Sequence, residues 1–367
     1  MNSQRPPSPQ EAAAKPVASL KEVAQLAQCS VSAAAAVLNG VENNTRVSQP
    51  TRQRIEHAGA QLGYRRNYLG SALRTGKSHV LGLLMNTGQP DERHGGFWSK
   101  FLAGIDQAAH ARNCNVLLIS ADAANDELDL GERMLNGRQI DAMVIPSLFY
   151  QQRKDAISRI TGAVAIAFTL LHGGKHPCIG LAHDSAIREA VSHLAALGHR
   201  EILWLGLASH GIEVQAERRE LFDAACVGCG VRSSKHLLDN VPQNKGPEVY
   251  IRDCAERIES ILSRERPPTA IFAYNELVAF GVYHVAHARQ LRIPDRLSII
   301  AFDDIHGHLA TPAMSVISLE LHELGRQVGE LALRLAYEPT MVQDVARLQL
   351  IPTRLILRTS CGPPSRS

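Results

Sequence analysis

A chain of 367 residues, 45% hydrophobic and 20% charged, has the composition of a globular protein and the length for two or three domains. Its net charge of +3 is uneven: up to Lys77 there are ten Lys and Arg against four Glu and no Asp, while the remainder carries 29 basic and 32 acidic residues. A basic amino-terminal piece suits a polyanionic partner, although charge alone fits a solvated face equally well, and no run reaches the roughly 20 apolar residues of a membrane span.

Residues 1–18 are rich in Pro, Ala, Ser and Gln and lack the apolar core of a signal peptide. They read as a disordered tail on a cytoplasmic protein. "SLKEVAQLAQ" follows, with Ser19 and Glu22 at capping-box spacing and Leu20, Val23, Ala24 and Ala27 at helical spacing. Ser30 caps a second helix in "CSVSAAAAVLNG", where Ala34, Val37 and Leu38 pack back on the first and Asn39-Gly40 stops it. Ser48 caps a third helix that runs to Gly63. Three short helices with a tight first turn make a helix-turn-helix unit. The basic stretch "RRNYLGSALRTGKSH" is too short and too poor in apolar residues to be a stable helix alone, and reads as a linker that becomes helical on binding.

From Val80 the texture changes. The short apolar runs "HVLGLLMN", "NVLLISA", "AMVIPS" and "AVAIAFT" suit buried parallel strands, and helical patterns separate them. The theme restarts with "EILWLG", "TAIFAYN" and "LSIIAFDD". The expectation is an α/β core of two doubly wound parallel-sheet halves, with a ligand at the carboxyl ends of the strands in the cleft between them. Seven scattered cysteines read as reduced thiols, and Cys226-x-x-Cys229 as thiols without metal, since no second pair stands at zinc-ligand spacing.

In this order, "LKEVAQLAQCSVS", "VSQPTRQRIEHAGAQLGYRRN", "LRTGKSHVLGLL", "LGHREILWLG", "PTAIFAYNE", "IPDRLSIIAFDDI" and a terminal "RTS" resemble the LacI/GalR family of bacterial repressors from about Ser19 to Ser360. The resemblance implies a helix-turn-helix head (19–65), a hinge helix and linker (66–79) and a periplasmic-binding-protein-like core (80–360), with a tail at 361–367. The core would consist of two discontinuous subdomains linked by three crossovers. It implies a homodimer on a palindromic DNA operator, controlled by a small sugar-like effector, with no cofactor, metal or membrane partner.

By the same resemblance, Val31, Ser32 and Ala36 take the base-facing positions of the recognition helix. Ala33 to Ala36 replaces a common Thr-Val-Ser-Arg, which removes two hydroxyls and an arginine able to pair bidentately with guanine. Ser19, Ser30, Asn39 and Ser48 match phosphate-contacting helix ends, where a cap and a phosphate ligand can coexist. In the hinge, Leu73 matches a leucine that pries apart a base step, the alternative being a hinge–core contact. Asn67 and Arg74 match backbone contacts, and Arg65, Arg66 and Lys77 add charge there. In the cleft, Arg218 and Asp303 match groups that hold effector hydroxyls or a carboxylate, the alternative being an ion pair across the subdomains. Asn275 and Asp184 match polar cleft edges. Phe97 and Trp98 match a cleft wall, though Phe97 suits core packing equally. His172 and His176 lack an evident third metal ligand and read as a solvated loop.

Two other classes fit parts of the chain. The core alone suits a solute-binding protein, against which stand the DNA head and the missing export signal. A Rossmann-type enzyme lacks its marks here: there is no G-x-G-x-x-G after the first strand, no Walker loop and no nucleophile elbow.

Overall fold

The computed structural model describes residues 18–39, 47–65, 72, 75–85, 95–120, 127–146, 154–168, 175–208, 213–241, 246–338 and 348–365. The chain divides into two compact units, Met1–Gly76 and Lys77–Ser367. The hinge residues Asn67, Leu73 and Arg74 and the loop residue His172 lie outside the described residues.

The first unit holds α1 (Leu20–Leu26), α2 (Val31–Asn39) and α3 (Gln49–Gln61). The capping box forms as the spacing predicts: Glu22 N–H donates to Ser19 Oγ, and Ser19 N–H and hydroxyl both donate to Glu22 Oε2, at 2.6 and 2.7 Å. The tight turn puts Gln28 at a positive φ of 49°. Its small core joins Val23, Ala24, Ala27, Ala34, Ile55 and Ala58, with Val37 and Leu38 packed against them. Small residues are needed here: a Cβ on Gly59 would stand 3.2 Å from Leu38 Cδ2.

The second unit contains two six-stranded sheets. The first is built from β1 (Val80–Met85), β2 (Asn115–Ser120), β3 (Ala142–Pro146), β4 (Val164–Ala167), β5 (Cys178–Ala182) and β11 (Leu348–Pro352), in the order β11-β5-β4-β3-β1-β2 and wholly parallel. The second is built from β6 (Glu201–Leu207), β7 (Arg232–Leu238), β8 (Ala270–Ala273), β9 (Ser298–Phe302), β10 (Ser315–Ser318) and β12 (Arg354–Ile356), in the order β12-β10-β9-β8-β6-β7. Only β12 is antiparallel to its neighbour. Each sheet reverses its strand order once, between β1 and β3 and between β6 and β8, the doubly wound pattern whose ligand crevice lies at the carboxyl ends.

The chain passes between the sheets three times: after Ala182, after Ser318 and after Pro352. The crossings are tied together. Thr353 N–H and hydroxyl donate to Ala182 C=O at 2.9 and 3.1 Å, and Arg354 pairs with Glu320 at 3.3 Å.

The helices of the second unit are α4 (Gly95–Ala111), α5 (Glu127–Asn136), α6 (Lys154–Arg159), α7 (Asp184–Ala196), α8 (Glu213–Gly228), α9 (Pro247–Leu262), α10 (Glu276–Ala288) and α11 (Leu321–Tyr337). Helices α4 and α11 touch backbone to backbone at glycines: a Cβ on Gly104 would stand 1.9 Å from His322 C=O, and one on Gly325 2.0 Å from Phe101 C=O. Gly104→Ala therefore forces the pair apart, and urea unfolding is expected to show a loss at or above the upper end of the usual overpacking cost of about 1–3 kcal/mol.

One strand departs from its expected place. The apolar run of β2 reads as buried but lies at a sheet edge, leaving Leu117 and Leu118 37% and 45% exposed. An apolar edge is a pairing surface rather than a core.

Candidate functional sites

In the head, α2 turns three alanines inward: Ala33, Ala34 and Ala35 are buried. Val31 is 46% exposed, Ser32 is exposed and Ala36 is half-buried. The outward surface of the helix start is thus one isopropyl group, one hydroxyl and one methyl. Ser30 Oγ accepts the Ala33 N–H at 3.1 Å, so its hydroxyl is a true cap. Ser48 stands at the start of α3 but makes no cap hydrogen bond; its Oγ meets Thr51 Oγ1 at 2.9 Å. Of Asn39 only the backbone is described, at the end of α2. Arg52, Arg54 and Arg65 are exposed.

Lys77 is engaged elsewhere. Its Nζ donates to Ala336 C=O at 2.6 Å and stands 4.4 Å from the centre of the Tyr337 ring. The expectation that its charge serves the DNA backbone gives way to a contact inside the second unit.

In the core, polar groups gather beyond the carboxyl ends of the second sheet. Arg218 on α8 is buried, and its guanidinium carbon lies 4.1 Å from the Phe302 ring centre and 5.8 Å from that of Tyr274. Arg218 Nε–H donates to His183 Nε2 at 3.3 Å. A guanidinium can only donate, so His183 carries its proton on Nδ1. That Nδ1 is buried without a hydrogen-bond partner among the described residues. Burial, seconded by the charge of Arg218, pushes the His183 pKa down to about 2, so the ring is neutral. Burial also lowers the Arg218 pKa, and the fields of Tyr274, Asp303 and Glu217 oppose that shift. Burial raises the Glu217 carboxyl above its ordinary value, and its Oε2 is buried without a partner among the described residues.

Asp303 follows β9 with φ at +77°, a left-handed conformation that a non-glycine residue holds only when its surroundings fix it. The fixing is visible. Asp303 N–H donates to Ile317 C=O at 3.1 Å, and the buried Glu276 carboxylate accepts the N–H groups of Ile305, His306 and Gly307. Asn275 caps α10: its Oδ1 accepts the Val278 N–H at 2.8 Å, leaving the amide nitrogen as its remaining donor.

The first sheet contributes an aromatic wall. Phe168, just past β4 at a φ of +66°, stacks on Phe97 at 5.3 Å and meets Trp98 and Phe101 at 6.1 and 4.8 Å. Phe97 and Trp98 are half-buried and pack against the hydrophobic core. The two halves touch at the start of α4, where a Cβ on Gly96 would stand 2.2 Å from Ile305 Cγ2 and Lys100 Nζ donates to Asp304 C=O.

Asp184 does not join this group. It is exposed on the first turn of α7 and pairs with Arg188. The preceding residue, His183, is the one that meets Arg218. His183, Glu217, Tyr274 and Phe168 were missed in the sequence; the short "AHDS" carried the histidine without distinguishing it from its neighbour. His176 is buried, with Nε2 bonded to Ile157 C=O at 3.0 Å, so the solvated-loop expectation fails for it. No group of three metal-ligating side chains occurs among the described residues.

The family profile described as "Bacterial regulatory proteins, lacI family" matches residues 19–67, and that described as "Periplasmic binding protein-like domain" matches residues 191–361. Catabolite control protein A of Priestia megaterium is 25% identical over 347 residues, covering 92% of this chain and 98% of the relative. The HTH-type transcriptional regulator GalS of Salmonella typhimurium is 28% identical, covering 86% of this chain and 89% of the relative. A crystal structure of the Lac repressor dimer bound to operator and the anti-inducer ONPF superposes with a TM-score of 0.73, at 20% identity, over 94% of this chain and 99% of that one. The fold matches that of the Lac repressor, and the chain joins a DNA-binding domain of the LacI family of bacterial regulatory proteins to a periplasmic-binding-protein-like domain, as its regulator relatives suggest.

Proposed function

We propose that this protein is a cytoplasmic transcriptional repressor that binds a palindromic operator as a homodimer and is controlled by a small polar ligand in the cleft. Residues 19–65 form the DNA-binding head, 66–79 the hinge and 80–360 the ligand-binding and dimerising core. The observation that carries the reading is the buried Arg218–His183 pair beside Asp303 on a chain that also bears a helix-turn-helix head. Guanidinium nitrogens, an imidazole N–H and a carboxylate suit a ligand rich in hydroxyls, with or without a carboxylate. Phe97 and Trp98 supply a ring-sized apolar face, and Asn275 an amide donor. The exposed leucines on β2 suit a subunit interface, and the similar Lac repressor is described as a dimer on its operator. Ligand closure of the cleft alters the angle between the halves and so biases the two hinges.

On DNA, Val31, Ser32 and Ala36 face the bases, and Ser19, Ser30, Asn39 and Ser48 meet phosphates. So spare a reading surface leaves much of the specificity to Leu73 in the minor groove, to Asn67 and Arg74 on the backbone, and to DNA deformability. Selection from a random duplex pool, followed by salt titration, tests this. The expected product is a palindrome bound with steep salt dependence; failure to enrich any sequence would remove the reading. Repeating the selection with Ala36→Arg is expected to add a preference for guanine in each half-site, worth about 1–3 kcal/mol per site. An unchanged consensus would take Ala36 off the groove.

A further inference from the structure

We propose that Asp141 and Tyr337 clamp the linker where it joins the core, and that α4 and α11 form a strut between this clamp and the aromatic wall of the cleft. The proposal rests on the reading of the head as DNA-binding and of the cleft as the ligand site.

Asp141 stands just ahead of β3, at the amino-terminal pole of the first sheet, remote in the fold from the cleft. Its carboxylate takes four hydrogen bonds. Oδ1 accepts Ser78 N–H at 2.7 Å and the Ser78 hydroxyl at 3.0 Å; Oδ2 accepts His79 N–H at 2.8 Å and the Tyr337 hydroxyl at 2.6 Å. Three of these donors belong to the first residues of the second unit, and the fourth ends α11. Lys77 adds its bond to Ala336 C=O, and His79 stacks on Tyr337 at 6.2 Å with its φ at +57°. One carboxylate thus fixes the direction in which residues 77–79 leave the sheet.

The same pole is where α4 and α11 end together. Arg112, just past α4, pairs with Glu338 at 2.8 Å, and Cys114 Sγ lies 3.3 Å from the Tyr337 hydroxyl. Midway the helices meet at Gly104 and Gly325, backbone against backbone, and at Gly329, where a Cβ would stand 3.0 Å from Ala108 Cβ. No layer of long side chains separates them, so the pair has little room to slip. At the far end α4 carries Phe97, Trp98 and Phe101 into the wall around Phe168, and α11 begins directly at the crossing from β10. Each helix is 17 residues, about 25 Å at 1.5 Å per residue. A displacement at the wall or the crossing is delivered to the residues that hold the linker, and by reciprocity ordering of the linker on DNA is felt at the wall.

The test uses the full chain, a duplex enriched by the protein from a random pool, and iodide quenching at constant ionic strength. Of the two tryptophans Trp204 is fully buried, so the quenchable emission is that of Trp98. In the wild type, duplex binding is expected to change Trp98 quenching. In Asp141→Ala that change is lost and duplex affinity falls about tenfold, within the usual range of coupling between sites. Tyr337→Phe, which keeps the ring packing, is expected to lose part of both. Thermal unfolding identifies a variant that fails to fold, in which case Tyr337→Phe decides. Wild-type binding without a change at Trp98, or folded variants that respond as the wild type does, would overturn the clamp and strut. A wild type that enriches no duplex defeats the DNA-binding reading itself, and does so before any variant is compared.

Discussion

Arg218→Ala is expected to erase the rise in unfolding midpoint that a cleft ligand produces, while binding to an enriched duplex stays within about threefold of wild type. The arginine is the group best built for a ligand: buried, stacked on Phe302, oriented through Nε by His183, and charged despite the burial that lowers its pKa. With Nε committed, its terminal nitrogens keep the parallel geometry that fits a carboxylate or a pair of vicinal hydroxyls. Two hydrogen bonds from a charged donor are worth roughly 3–6 kcal/mol together, so affinity falls at least about a hundredfold. The measurement is a thermal-shift screen of the full chain against sugars, sugar acids and nucleosides, followed by the variant with whatever compound shifts the wild type. Arg218→Lys separates charge from geometry. It keeps the cation but loses the fork and the bond to His183, and is expected to recover only a small part of the response. If Arg218→Ala weakens duplex binding as much as ligand binding, the residue is a structural prop between the halves and not a ligand group.

The head was legible because its signals are local. Ser19 and Glu22 are three residues apart, Ser30 precedes its helix directly, and the apolar spacing of α1 and α2 needs no distant partner. Most of the central, apolar strands were legible: β1, β3, β4, β6, β8 and β9. Strand β7, with its "RSSKHLL", escaped because it is an edge strand rich in polar residues, and the short runs of β5, β10, β11 and β12 went unread as well. The error on β2 has the opposite cause: its leucines looked like core, and only strand order reveals an edge. In the cleft, Arg218, inside α8, and Asp303, just past β9, were found through the motifs that resemble the family, not through local spacing. His183 was passed over for Asp184 because the choice depends on which of two adjacent residues turns toward a helix 35 positions away. Asp141 left no sequence signal at all, since its partners are Ser78, His79 and Tyr337.

Acidification below pH 6.5 is expected to destabilise the core by about 1.4 kcal/mol per pH unit through His183 alone. In the folded protein its pKa is pushed down to about 2, chiefly by burial; in the unfolded chain it returns to 6.5. Below pH 6.5 the unfolded form therefore binds a proton that the folded form refuses. Stability from this group is whole above pH 6.5 and is lost as pH falls, down to the folded value near 2. His199 and His176 add to the slope with the same sign. Burial lowers both, and both are held by hydrogen bonds: His199 to Thr269, Ser298 and Gly362, His176 to Ile157. Two carboxylates behave differently. Glu323, held at about 2 by Arg326, loses stability only below its ordinary 4.5, and Glu217, raised by burial, gains stability as pH falls. Between about pH 6.5 and 5 the histidines dominate, since the ordinary carboxylate range lies lower. Urea unfolding across that window measures the slope, and His183→Gln is expected to reduce it by about one proton, or 1.4 kcal/mol per pH unit. The amide cannot titrate yet can still accept from Arg218, so packing changes little while the linkage disappears. A variant with the wild-type slope would mean that His183 is hydrated in the folded protein, which would in turn open the floor of the cleft to water and weaken the case for a buried guanidinium poised for a ligand.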